Sequence, residues 1–399
     1  MRVALVHEWL ITHGGSEEIT AELQALFPDA DQFALVAAPV PSLRARLAAR
    51  PIRTSFLQWI PGVARWHRPL LPLMPRAIES LDLGGYDLVV SVSHAVAKSV
   101  RTGPGQVHLC LCCSPMRYAW DLREQYLRGA GLDGGLRGWV VRGLLDRIQA
   151  WDRATADRPT AYLAISAFIA DRIRRAYGRE STVLYPPVDT AFFTPAPSSA
   201  AGAGPAARDN RAPYWVTASR FVPYKRIPLL VEAFAGMPEQ RLVVIGDGPE
   251  RAKVEAAARG AAHITLLGQV SRERLREELR GARGFLFAAE EDFGIAPVEA
   301  LACGVPVVAY GRGGALETVV GLPAEDAAGL PPTEPTGVFF DRQEVGSIRA
   351  AVARCEAAVL AGAITATACR RQAERFSVAA FRSGVRSAVD RVAQRLVLP

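Results

Sequence analysis

The chain predicts an α/β protein of two doubly wound parallel sheets, and three observations lead there. Short apolar runs, each closed by a polar or Gly-containing loop, alternate with amphipathic stretches, the pattern of strands buried on both faces and the helices that cover them. At 399 residues the chain exceeds one ordinary core, so two domains of ~200 residues are expected. Near the middle, YPPVDTAFFTPAPSSAAGAGPAARDNRAP turns abruptly to Pro, Ala, Ser and Gly, the composition of a linker. The expected organisation is a first domain at 1–190, a linker at 191–213 that is mobile near 197–210, a second domain at 214–376 and a final helical segment at 377–399.

The first domain opens with a strand over Arg2–Val6 and a loop from His7 to Gly15 that ends in Gly14 and Gly15. Ser16–Phe27 reads as a helix with Glu17 and Glu18 in an acid-rich first turn, and the paired glycines let a ligand come close to the backbone. A plain tight turn is the alternative. Between Gln32 and Ile78 there is no acid but seven arginines, at 44, 46, 50, 53, 65, 68 and 76, interleaved with Phe56, Trp59 and Trp66. That mixture suits the headgroup zone of an anionic membrane, so residues 44–76 are a candidate peripheral contact. The competing reading is a pair of helices packed on the domain with their arginines in water. Strands follow at Tyr86–Val92 and Val107–Cys112. The first leads into Ser93, His94 and a short helix with Lys98, the second into Cys113, Ser114, Pro115, Met116, Arg117, Tyr118, Ala119 and Trp120. A helix over Gly138–Asp157, a strand over Ala161–Ile165, a helix over Ala167–Tyr177 and a strand over Thr182–Tyr185 complete the domain.

The second domain begins with a strand over Tyr214–Ser219, the loop Arg220 to Arg226 and a helix from Ile227. Arg241–Ile245 is a strand closed by Gly246, Asp247, Gly248 and Pro249, and His263–Leu267 is another, closed by Gly268, Gln269 and Val270. Gly284–Ala289 is a buried strand, Glu290–Gly294 a polar loop, and a helix follows with Pro297 in its first turn and Glu299 one turn in. The chain then repeats the unit, with a strand over Val305–Tyr310, a Gly311–Gly314 loop and a helix from Ala315 with Glu317 in its opening turn. Two successive strand ends therefore aim free N–H groups at one place, with Glu291 and Glu299 facing one cleft.

The formal charge is +7, yet Arg outnumbers Lys 44 to 3, which points to genomic base composition more than to function. The basic residues form no tail and no nucleic-acid-binding motif is present, so nucleic acid is not an expected partner. Six cysteines, at 110, 112, 113, 303, 355 and 369, lie in apolar stretches without paired C-x2-C units, which fits a reduced, cytoplasmic chain. Met1–Val6 is too short for a signal-peptide core and is cut by Glu8. The one D-x-D triplet, Asp29-Ala30-Asp31, sits beside Pro28 in a surface turn, so no metal site is expected.

Glu291 and Glu299 form a Glu-x7-Glu pair inside EEDFGIAPVEALACGVPVVAYGRGGALETV, which closely resembles the signature of retaining glycosyltransferases of the GT-B fold, family 4. AEEDFGI and AYGRGGALETV look most like the bacterial branch containing lipopolysaccharide O-antigen mannosyltransferases, and SHAVAK, PPVD, GDGP and RTSFLQWIPGVARWHRPLLPLMPRAIESLDL are similar to the same family. The resemblance implies that Glu299 binds the ribose hydroxyls, Glu291 lies beside the transferred sugar, and Arg220 and Lys225 bind the donor diphosphate. It also sets Gly14 and Gly15 towards the donor's phosphates and sugar, and Phe293, Gly294 and Ile295 at the donor. The chemistry agrees, since one carboxylate can accept from both hydroxyls of a ribose diol, and a departing nucleoside diphosphate needs fixed cations. Relatives usually carry His where this chain has Cys113. With His94, Arg117 and Trp120, Cys113 is a candidate for the sugar or acceptor pocket.

The implied activity is transfer of a sugar, mannose from GDP-mannose first among donors, to a hydroxyl of a glycan or lipid-linked acceptor. It needs no cofactor and no metal, and would take place in the cytoplasm at the inner face of the plasma membrane. The same resemblance implies two domains facing a cleft, with the last helix crossing back to the first domain. The competing functions are a donor-binding but catalytically weak partner subunit and a sugar-nucleotide 2-epimerase of similar fold.

Overall fold

β1 (Val3–Leu10) is an interior strand of the first sheet, flanked by β2 (Asp31–Ala37) and β4 (Leu88–Ser93). With β3 (Arg53–Thr54), β5 (Val107–Cys112), β6 (Ala161–Ala164) and β7 (Ser181–Val183), the spatial order is β3-β2-β1-β4-β5-β6-β7, every neighbouring pair parallel. The order reverses between β1 and β4, so the carboxyl ends of these two strands border the crevice where open α/β sheets take ligands. The computed structural model describes residues 1–47, 50–132, 134–197, 213–323 and 333–397. The chain divides into two units, Met1–Pro187 with Phe381–Pro399, and Val188–Ala380.

The second unit repeats the plan. Its strands are β8 (Tyr214–Ala218), β9 (Arg241–Ile245), β10 (Ile264–Gly268), β11 (Ala282–Phe287), β12 (Val307–Tyr310), β13 (Gly321–Leu322) and β14 (Gly337–Phe340). Their order is β10-β9-β8-β11-β12-β14-β13, again all parallel, with the reversal between β8 and β11. Trp215, Phe234, Phe285 and Phe340 fill its core, each at most 1% exposed.

Several sequence expectations need correction. β1 runs on to Leu10, so His7 and Glu8 are strand residues and not the start of a loop; the Glu8 carboxylate has buried partners, described below, that make its burial tolerable. β2, β3, β13 and β14 were not expected. β3 and β13 are two residues long, too short to leave a periodic signal. The pair of helices in the competing reading of residues 32–78 is replaced by short turns, at Pro41–Arg44, Phe56–Trp59, Val63–Trp66, Arg68–Leu73 and Met74–Glu79, because proline interrupts this stretch every few residues. The long helix is Gly135–Ala154, three residues earlier at each end than Gly138–Asp157.

The end of the expected first domain and the start of the expected linker belong to the second unit and are fastened within it. Val188 bridges to Ser377, Asp189 Oδ2 accepts from Arg272 at 3.0 Å, and Arg280 donates to the Thr194 carbonyl at 2.7 Å. The stretch near 197–210 expected to be mobile lies outside the described residues apart from Pro197. The final helix spans Val378–Val397, and Arg382 near its start lies 2.6 Å from Glu22 within the first unit.

Candidate functional site

In the first unit, the end of β1 meets the turn after β4 at the switch point. Glu8 is fully buried. Its Oε1 accepts from the backbone N–H groups of His94 (3.0 Å), Ala95 (2.8 Å) and Ala97 (3.0 Å) and from the Ser93 hydroxyl (3.1 Å), while Oε2 lies 2.6 Å from His94 Nδ1. Burial alone would push the Glu8 carboxyl up, but the His94 charge and hydrogen bond, with His7 and the Ala97 N–H, hold it far below the carboxylate range. Burial likewise works against a charged His94, yet the Glu8 charge and hydrogen bond, aided by Glu17 and opposed by Arg117, raise its pKa. His7 is pulled the other way, with burial lowering its pKa. The Trp9 ring lies 4.8 Å from both His94 and His67.

The helix after β1 is Gly15–Leu26, with Gly14 as its N-cap. Glu17 in its first turn is buried and takes hydroxyl bonds on both oxygens, from Thr12 (3.0 Å) and Ser16 (2.9 Å). The SHAVAK segment is pinned from below as well. Lys98 and Asp152 form a buried ion pair at 3.0 Å, and Asp152 Oδ2 accepts from Trp120 Nε1 (2.8 Å) and the Tyr177 hydroxyl (2.9 Å). Trp120 therefore turns its only polar atom inward, and what it can offer a ligand is ring surface. Cys113, partly buried, follows β5 and donates its N–H to the Ser93 carbonyl at 2.7 Å, which sets it beside His94. The Asp29–Asp31 pair is at the amino edge of the sheet, where Asp31 starts β2 and accepts from the Tyr86 hydroxyl at 2.5 Å. That is the opposite edge from Glu8 and His94.

The arginine-rich stretch is divided. Arg46 pairs with Glu18 and Glu22, and Arg50 and Arg53 with Asp31. Arg44, Arg65, Arg68 and Arg76 are exposed without an ion pair among the described residues. Phe56, Trp66 and Leu73 are exposed, and Trp59 is 85% exposed. No helix among the described residues is long and apolar enough to cross a membrane.

In the second unit, the switch point carries Lys225, from the loop after β8, in an ion pair with Glu291, from the loop after β11, and both side chains are largely buried. Three contacts hold this geometry. Arg226 takes left-handed φ (56°), a conformation costing about 1 kcal/mol or more for a non-glycine residue, and bonds to Gln343 at 3.1 Å. Gln343 in turn donates to the Ala288 carbonyl at 2.7 Å, tying the two loops together. The GDGP turn backs the first of them, since a Cβ on Gly246 would lie 1.8 Å from the Ser219 carbonyl oxygen. Arg220, in that loop, is exposed with no side-chain partner among the described residues.

The loops after β11 and β12 are joined through their backbones. Glu291 and Gly313 form a bridge, Gly314 N–H donates to the Glu291 carbonyl at 2.7 Å, and a Cβ on Gly313 or Gly314 would lie within 2.5 Å of the Glu291 or Phe293 backbone. Gly294 caps the helix Ile295–Ala302. The Phe293 ring is buried against Phe376 (5.4 Å), so its backbone is the part placed to meet a ligand. Glu299 has different neighbours from Glu291. Burial pushes its carboxyl up to about 7, opposed by Arg272 and reinforced by Asp189.

Sequence reasoning missed Glu8, Lys98's partner Asp152 and Gln343. The available signal for Glu8 was a lone acid inside the apolar run VALVHEWL.

Residues 205–355 match the family model described as glycosyl transferases group 1. The chain is 31% identical over 203 residues to a GDP-mannose-dependent alpha-(1-6)-phosphatidylinositol monomannoside mannosyltransferase of Mycobacterium tuberculosis, covering 46% of this chain and 51% of that protein. It is 34% identical over 188 residues to a D-inositol 3-phosphate glycosyltransferase of Mycobacteroides abscessus, covering 43% and 41%. The chain thus spans about half the length of the curated relatives it matches. Among solved structures it is similar to Anabaena Alr3699/HepE in complex with UDP (TM-score 0.68, 17% identity, 98% of this chain and 100% of that one). It is also similar to sucrose-phosphate synthase from Thermosynechococcus elongatus (TM-score 0.70, 17% identity, 99% and 100%). At such identity these likenesses establish the fold: two seven-stranded parallel α/β domains, the GT-B architecture.

Proposed function

We propose that this protein is a retaining, metal-independent hexosyltransferase that moves a sugar from a nucleoside diphosphate to a hydroxyl of a glycan or lipid-linked acceptor. Mannose from GDP-mannose is the leading donor. The observation that carries the reading is the pairing of Lys225 with Glu291 at the switch point of the second sheet, beside the glycine-joined loops after β11 and β12. A cation, a carboxylate and close-approaching backbone at one strand edge match a phosphorylated, hydroxyl-rich ligand. The relatives named for GDP-mannose support the donor, although a similar solved structure holds UDP.

In this reading Arg220 and Lys225 stabilise the departing diphosphate, Glu299 accepts from the ribose hydroxyls, and Glu291 lies beside the sugar. The bond from the anomeric carbon to the β-phosphate oxygen breaks as the acceptor oxygen bonds to the same face of that carbon. The acceptor proton passes to the leaving phosphate, so no protein base is required. Cys113 favours a second reading, a donor-binding subunit of weak activity. Thermal shifts with GDP, UDP, ADP and their sugars test the donor, since a ligand at ~100 times its Kd adds about 2.7 kcal/mol. Stabilisation by GDP compounds alone, unchanged in EDTA, is expected; stabilisation only by another base, or only with added divalent metal, would overturn that part.

A further inference from the structure

The Glu8 carboxylate and the His94 imidazole are joined in a way that a plain structural role leaves unexplained. One ring nitrogen, Nδ1, is committed to a carboxylate with no exposure at all, 2.6 Å away. The other, Nε2, makes no hydrogen bond among the described residues, on a side chain 29% exposed. Because a carboxylate can only accept, Nδ1 must carry the proton when the bond is made, and a second proton on Nε2 makes the ring a cationic donor directed away from Glu8. Oε1 of Glu8 simultaneously gathers three N–H groups and the Ser93 hydroxyl, so the same residue fixes the turn that bears the ring.

The surroundings decide what such a donor would meet. Among the described residues, five carboxylate, imidazole or guanidinium groups bear on His94, beside the Cys113 thiol. From β1 these are Glu8 and His7, the latter with its ring centroid 5.6 Å away; Glu17 comes from the Gly15–Leu26 helix, Arg117 from the segment after β5, and His67 lies across Trp9. Both carboxylates are already engaged: Glu17 by Thr12 and Ser16, and Glu8 by the turn. His7 accepts the Trp9 N–H at Nδ1, 3.2 Å, so its Nε2 bears the proton of the neutral ring, and this buried atom has no partner among the described residues. With the acids satisfied internally, an oxygen anion is the ligand that complements the remaining donors at this strand edge.

We propose that Glu8 is a positioning residue that presents His94 Nε2 as a donor to a phosphoryl oxygen bound by the first unit. The glycosyltransfer reading guides the choice of phosphoryl compounds, and the inference rests on it for that choice alone. Glu8 touches no ligand and acts through His94.

The test is a ¹⁵N-histidine NMR titration of the full chain, with His94 assigned from His94→Gln. The His94 resonances are followed against pH and against pyrophosphate, GDP and glycerophosphoinositol, in wild type, Glu8→Gln and Glu8→Asp. In wild type His94 is expected to be doubly protonated at pH 7.5, and pyrophosphate should move its Nε2 signal. A shift with GDP identifies a nucleotide as the source of the phosphoryl group, and a shift with glycerophosphoinositol a phosphorylated acceptor. Glu8→Gln should leave His94 neutral at pH 7.5 and weaken pyrophosphate binding, read at this residue, by ~10-fold or more. The deficit should narrow at pH 5.5, as the ring in Glu8→Gln gains its second proton, and Glu8→Asp should recover part of it. A neutral wild-type His94 at pH 7.5, or an equal deficit at both pH values, overturns the proposal. Should Glu8→Gln not fold, His94→Gln should weaken pyrophosphate binding at pH 7.5 by ~10-fold or more in a calorimetric titration, and wild-type affinity in it is equally fatal. Phosphoryl binding at His94 in a protein that turns over no sugar nucleotide would sink the glycosyltransfer reading and leave this one standing.

Discussion

Lys225 and Glu291, one from the loop after β8 and the other from the loop after β11, neutralise each other at the switch point of the second sheet. The cation proposed for the diphosphate and the carboxylate proposed for the sugar are therefore each other's counter-ion when no ligand is bound. Donor binding has to share that cation.

This makes the two partners separable. Lys225→Ala and Arg220→Ala each remove a charge-assisted bond worth roughly 1.5 to 3 kcal/mol, so turnover should fall at least ~10-fold. Glu291→Gln releases Lys225 and should tighten GDP itself by about 3-fold or more while turnover falls at least ~10-fold. Calorimetric titration beside steady-state rates checks this. Weaker GDP binding in Glu291→Gln would show that the pair does not compete with phosphate.

Glu299 supplies a pH signature. Its carboxyl, pushed up to about 7 from the usual 4.5 by burial, holds its proton more tightly folded than unfolded. Ionisation then opposes folding, and stability is lost as pH rises from 4.5 towards 7. Glu299→Gln removes that loss, so its Tm relative to wild type should rise between pH 5 and pH 8 while nucleotide affinity drops. A Tm difference that does not change with pH would contradict the burial assignment.

The fold was legible because its strands are apolar runs and its loops carry glycines that close contacts demand, as at Gly313 and Gly314. The spacing of Glu291 and Glu299 could be read because it is local in sequence, and their roles at the donor are part of the proposal. What escaped were partnerships across long separations. Glu8 reads as a loop residue just past a strand unless one knows that the donors of His94, Ala95 and Ala97, more than eighty residues on, will surround it. Asp152 likewise becomes meaningful only once Lys98 is buried against it.

Cys113 should behave as a pocket wall. It is partly buried and set by its N–H to Ser93, and a small side chain there can be exchanged without loss of the turn. Cys113→Ser and Cys113→His are expected within ~10-fold of wild-type turnover. Abolition by serine would indicate a covalent role, and a gain of several hundredfold with histidine a degenerate site.

The exposed Trp59, Trp66 and Phe56, with Arg65 and Arg68 free of ion pairs among the described residues, are the side chains that would meet an anionic membrane. Co-sedimentation with anionic vesicles should weaken with salt and with Trp59→Ser or Arg65→Ala/Arg68→Ala. Equal binding to neutral and anionic vesicles would leave these residues as ordinary surface.

Donor turnover with and without an acceptor tests the central claim most directly. The full chain is incubated with α-linked sugar nucleotides, and both nucleotide release and the configuration of the new glycosidic bond are followed by NMR. The expected result is acceptor-dependent release of GDP from GDP-mannose with an α-linked product; acceptor-independent epimerisation, a β-linked product, or no turnover of any donor would contradict it.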